Sequence, residues 1–259
     1  MSRGFSRDFL IEVSKGLVPK HSLVHKFGMN YSMGTSFVPI SVGGLYNTPQ
    51  VAGATTLRIK AGGNANDTAA GSGAREITLE GLNETGALAT ETLATAGASA
   101  SSATTTTFIR LFRVYLSESG TYATSLAGSH SAAITIENGS GGTDWATIYA
   151  TGFPHSQSEI AAYTVPLGKT AYLIDYRLSS DANKSFDFMF FKRESILDTS
   201  APYEAMRIQF EGNGIESPIQ FIFPDPLRFD ALTDIGFLAK VSTGTADVVG
   251  SFNLLLVDD

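Results

Sequence analysis

The chain has no cysteine, a single tryptophan and little charge. Without cysteine there are no disulfides, thiolate metal sites or thiol nucleophiles, so stability must come from packing or association. Charged residues are only 17% of the 259, against 43% hydrophobic, which permits a large buried core and excludes general disorder. No apolar run reaches the ~18 residues of a membrane helix, and no membrane contact is expected. Asp8, Glu12 and Lys15 interrupt the apolar run that a secretory signal needs.

Catalytic signatures are missing too. GSGAR at 71–75 and GSHSA at 128–132 do not match the G-x-S-x-G nucleophile elbow, although His130 and His155 are available bases. Nothing marks Asp175, Asp187, Glu204 or Glu211 as a glycosidase pair. Neither an enzymatic activity nor a cofactor is expected.

The net charge of −7 is unevenly spread. Residues 1–28 carry Arg3, Arg7, Lys15, Lys20 and Lys26 against Asp8 and Glu12, so a basic start precedes an acidic body. Such an arm suits an acidic partner or nucleic acid, or is a solvated segment; the acidic body argues against broad DNA binding.

Residues 5–17 hold the one convincing helical period. Phe5, Phe9, Leu10 and Val13 share a face, and Gly16 and Pro19 stop the helix. That face packs on its own domain or on a neighbouring subunit. Residues 18–50 read as an extended lead-in, punctuated by Gly28, Gly34, Pro39, Gly43, Gly44 and Pro49, with a strand near 35–42. His21 and His25 have metal spacing only on a helix, and no third ligand is near.

The rest alternates in strand period. Strands are expected at 55–60, 74–82, 88–95, 108–116, 131–137, 143–150, 160–165, 170–179, 184–193, 205–210, 217–223, 233–241 and 247–257. The loop at 62–73 holds Asn64, Asn66 and Asp67, too few carboxylates for a good calcium loop, and reads as turn chemistry. The run at 108–116 has both faces partly covered and is the expected centre of the fold. Its Arg110 and Arg113 need partners, with Glu76, Glu80 and Glu91 or an acidic neighbouring subunit as candidates. Trp145 is a core anchor or a sugar-stacking platform. On Phe186, Phe188 and Phe190 one face of a strand is all phenylalanine.

About fourteen strands with turn signals every 8–12 residues predict an all-β, jelly-roll-like sandwich or sandwiches with a short N-terminal helical arm. The expected division is an arm and lead-in over 1–50, a first sandwich over 51–155 and a second over 156–259, or both as halves of one sandwich.

Several blocks carry a family resemblance: SRDFLIEVSKGLVPKHSLVHKFGMN, GGLYNTPQ, NDTAAGSGAREITLEGLNETG, FIRLFRVYL, AAYTVPLGKTAYLIDY, LTDIGFLAKV and SFNLLLVD. In order along nearly the whole chain, they resemble virion structural proteins of tailed bacteriophages, especially phages of marine bacteria. The resemblance implies a particle component without active-site residues, assembled in the host cytoplasm and contacting its own copies and other virion proteins. The arm residues Phe5, Phe9, Leu10, Val13, Lys15, Lys20 and Lys26 are the expected subunit contacts, with packaged DNA a further partner for the basic arm. Alternatives are a receptor- or glycan-binding module on a tail or fibre, and a jelly-roll coat protein of a non-tailed virus.

Overall fold

A computed structural model describes residues 5–48, 53–121, 129–150, 155–181, 184–216 and 218–259. The helix α1 (Phe5–Ser14) is followed by β1 (His21–Met33), β2 (Val38–Pro39), β3 (Leu57–Ile59), β4 (Ala74–Asn83), β5 (Leu88–Ala94), β6 (Phe108–Ser119), β7 (Ile134–Asn138) and β8 (Asp144–Ile148). Then come β9 (Ala162–Thr164), β10 (Lys169–Ser180), β11 (Phe186–Arg193), β12 (Arg207–Ile215), β13 (Ile219–Phe229), β14 (Asp234–Val241) and β15 (Ala246–Asp258). The protein is all-β, with fifteen strands and one short N-terminal α-helix among the described residues.

Eight strands make an antiparallel sandwich. One sheet runs β1-β15-β10-β13 and the other β2-β14-β11-β12, with β9 also on β14. Counted along the chain, the eight are ordered 1-8-3-6 and 2-7-4-5, which is the jelly-roll order. Between the sheets lie the phenylalanines expected of β11, Phe186, Phe188 and Phe190, all buried. Phe190 meets Phe252 of the facing sheet edge-on at 5.7 Å, a favoured aromatic geometry. β15 alternates buried and half-buried along nearly its full length and is central in its sheet.

Strands β3 to β8 form an insert between β2 and β9, built of two three-stranded sheets, β3-β7-β8 and β5-β4-β6. Leu57, Ile77, Leu79, Phe108, Leu111, Val114, Ile136, Trp145 and Ile148 fill its core. β6 is an edge strand of its sheet, with β4 at the centre, so the expectation that 108–116 is the central strand is corrected. Its double coverage has another cause. Register against β4 steps from Glu80↔Arg113 to Gly81↔Leu111, and from Leu82↔Arg110 to Asn83↔Phe108, leaving Phe112 and Ile109 as bulged residues. Those two join the jelly-roll core, while Phe108, Leu111 and Val114 stay in the insert's core. The bulges re-aim two side chains and so join the two cores.

Residues 21–33 form one strand, with a register shift between Asn30 and Met33, where the sequence predicts an extended lead-in. Inward positions of β1 carry Lys26, Gly28 and Asn30, so the apolar alternation that marks a strand is absent. Gly28 is required by proximity: a Cβ there would lie 2.2 Å from Ala161 N and from Ile40 O. α1 ends in a Schellman motif, with Gly16 at φ 72° and bonds from Leu17 N to Glu12 O and from Gly16 N to Val13 O.

Candidate functional site

The most completely buried polar group sits where the insert meets the jelly roll. β6 supplies Arg110 and β14 supplies Asp234, and neither side chain is exposed. Arg110 Nε donates to Asp234 Oδ1 at 2.7 Å and Nη2 to Oδ2 at 2.8 Å, a bidentate pair. Arg193 of β11 also pairs with Asp234, and the Tyr46 and Thr164 hydroxyls donate to Oδ1. Burial alone would raise the Asp234 carboxyl, but Arg110, with Arg193 and Thr164, outweighs it and holds it below the usual carboxylate range. Burial likewise pushes the Tyr46 phenol up. The partner of Arg110 is Asp234, not Glu76, Glu80 or Glu91. Arg113 is exposed, donates to Gln157 and lies over the Tyr115 ring at 4.6 Å.

Lys26 forms a second tie across the same junction. It is buried in β1, and its ammonium donates to Phe112 O at 2.6 Å. Burial, then repulsion from Arg113, lowers its pKa to about 7, with Glu80 opposing. A groove of about 480 Å³ runs beside it, lined by Glu80, Phe112, Arg113, Tyr163 and Lys169 among others. Lys26 thus belongs to the folded body, which corrects its assignment to the arm.

The other arm residues divide. Val13 is buried against its own chain, and the Phe9 ring meets His21 edge-on at 5.8 Å. Leu10, Ile11 and Leu17 face outward, 37%, 51% and 68% exposed. Lys15 is exposed, and Lys20 Nζ donates to Asp259 O. The Phe5 side chain lies outside the described residues.

Further apolar side chains are exposed at the edge of the sandwich. On β12 and β13, Ile208, Phe221 and Ile222 are exposed, as are Tyr203 and Met206 just before β12; Phe221 lies opposite Tyr176 and Ile222 opposite Asp175, on the two faces of the strand. Tyr176, Phe210, Phe221 and Phe223 form a contiguous ring cluster at the open side of the sandwich. The strand period of this segment was legible, but only the topology makes both strands edges.

Three groups that could have suggested a ligand have structural partners. Asp67 is buried, and its carboxylate accepts from the backbone N–H groups of Ala74, Ser131 and Ala132, so it braces the loop and turns donors, not a cation, toward itself. His21 and His25 lie on a strand, where four residues span about 13 Å, and bond separately to Pro19 O and Asn253 Oδ1. Trp145 is 2% exposed and donates to Asn138, so it presents no face to a sugar. His130, with its ring bonded to Tyr149 O, has its pKa lowered by burial. Among the described residues no group of three His, Asp or Glu is placed to hold a metal.

No family model matches the chain, and no curated protein does. Solved structures give distant likenesses. A chain of infectious bursal disease virus, Gx strain, is 11% identical over 98% of this chain and 77% of its own, at a TM-score of 0.25. An isomalto-dextranase of Arthrobacter globiformis in complex with panose is 13% identical over 92% of this chain and 35% of its own, at 0.20. An insecticidal delta-endotoxin of Bacillus thuringiensis is 8% identical over 86% and 54%, at 0.19. Likenesses of this size carry no argument about function.

Proposed function

We propose that this chain is a non-enzymatic structural component of a bacteriophage particle. It assembles into a symmetric oligomer and uses its N-terminal arm in subunit contacts. The observation that carries the reading is the set of large apolar side chains exposed on the arm and along the sandwich edge, besides single ones at Leu23, Leu88 and Leu167. Leu10, Ile11 and Leu17 stand out from the arm, and Met206, Ile208, Phe221 and Ile222 from the sandwich edge. Large apolar side chains exposed in this number are suited to protein contacts. The sequence blocks that resemble phage virion proteins support the same role. Jelly rolls build viral coats and lectins alike, so the topology admits the role without selecting it.

The positions that fit are capsid decoration or cement, a head–tail adaptor, or a tail component. Partners are copies of the chain, other virion proteins and, for the basic arm, packaged DNA. A glycan-binding role has lost its main support, because Trp145 is buried.

The test is the number of copies in purified virions. A fixed number is expected: hundreds for a coat or decoration protein, roughly six to a dozen for a neck or tail ring. Absence from intact virions, with the chain found only in infected-cell lysate, overturns the reading.

A further inference from the structure

We propose that the arm of one copy docks on the β12–β13 edge of the next copy, so that subunits join head to tail. The proposal rests on the reading of the chain as an assembly subunit and names the surfaces that do the joining.

Topology supplies the first part of the argument. α1 packs on β1 through Val13 and Phe9, and β1 is one edge strand of its sheet. β13 is the other edge of that sheet, three strand spacings or about 14 Å away. An arm held on β1 therefore sits at the edge of the sheet opposite β13. Covering that edge takes a second copy. Two different surfaces on opposite sides of one subunit make a heterologous contact, which closes into a ring or runs on as a filament.

Charge supplies the second part. Around the edge, Arg207 is paired with Glu194 and Glu204, and Arg228 with Asp230. Glu211, Glu216 and Asp225 are exposed and carry no ion pair among the described residues. The edge thus has three uncompensated acids. Residues 1–20 hold four basic side chains against two acidic ones, and Lys15 stands exposed beside Leu10 and Ile11. Apolar meets apolar at the centre of the contact, and basic meets acidic at its rim.

Edge chemistry disfavours the obvious alternative, strand addition. β12 is bulged against β11 at two places, and β13 carries Pro224 and Pro226. Bulges and prolines blunt an edge against further strand pairing. The edge is shaped to receive side chains, and a ten-residue helix of about 15 Å fits along strands of about 30 Å.

Because the chain has no cysteine, disulfide trapping reads the contact without background. Two full-length variants are used, Ile11→Cys and Ile222→Cys, both at exposed positions. Mixed under mild oxidation, they are expected to give a cross-linked species of twice the 27.4 kDa chain mass, while neither alone does so. Adding Glu211→Lys, Glu216→Lys and Asp225→Lys to the Ile222→Cys chain is expected to cut the yield about tenfold, and reversing Arg3, Arg7 and Lys15 to Glu on the Ile11→Cys chain to restore it. Self-cross-linking of either variant alone means a two-fold contact and overturns the proposal. An oligomer by native mass that gives no mixed cross-link also overturns it, yet leaves the assembly role standing. A monomer at every concentration overturns both.

Discussion

Lys26 is the residue whose chemistry is most at odds with its place. Its amine is buried at the junction, beside the groove that Phe112 and Tyr163 line, with a single carbonyl as hydrogen-bond partner. The folded protein releases its proton near pH 7, while the unfolded chain holds it to 10.5. Between those values the unfolded state binds more protons, so stability rises with pH across that window and is lowest below it. The whole span is on the order of 4 kcal/mol. Lys26→Met is expected to remove this slope and to raise urea stability most at pH 6, by urea titrations of both proteins at pH 6, 8 and 10. An unchanged difference between the two proteins across those pH values contradicts it. Asp234 differs, since two guanidiniums answer its charge; removing one partner of such a buried pair costs about 3–5 kcal/mol.

At the scale of elements, the sequence was most readable where burial alternates cleanly. Phe186, Phe188 and Phe190 mark β11, and β15 keeps a period of two over nearly its full length. β1 was illegible because its inward residues are Lys26, Gly28 and Asn30, chosen for a close backbone approach and a tie to the insert. The two-sided burial of β6 was visible, but not its cause, because bulges at Ile109 and Phe112 depend on register against β4. Nor was the partner of Arg110 within reach of local reasoning, since Asp234 lies 124 residues away. These boundaries decide what the arm is. Residues 21–28 supply eight of the eleven register partners of β15 in β1, whereas the described residues 5–20 supply none, Lys20 O accepting one bond from Asp258 N at the end of β15. Deleting 1–20 is expected to shift unfolding free energy by no more than about 2 kcal/mol. Deleting 1–28 should cost at least about 5 kcal/mol, a large part of a usual domain's stability. Equal losses in chemical denaturation of the two truncations contradict this division.

For the whole molecule, the all-β class, the short helix and the jelly-roll character were legible in turn spacing and strand period. The circuit was not. The sandwich takes β1 and β2 from the start of the chain and six strands from its second half, with the insert closing one side. Leu82, Ile109 and Phe112 of the insert enter the jelly-roll core on that side, and the β12–β13 side is left to Phe210, Phe221 and Phe223. A subunit sealed at one side and open at the other is suited to an assembly.

The most direct measurement is the native mass of the full-length chain beside the chain lacking residues 1–20. The expected result is a discrete multiple of 27.4 kDa for the full chain and a folded monomer for the truncation. A full-length chain that remains a 27.4 kDa monomer at every concentration, or a truncation that assembles equally well, contradicts the account.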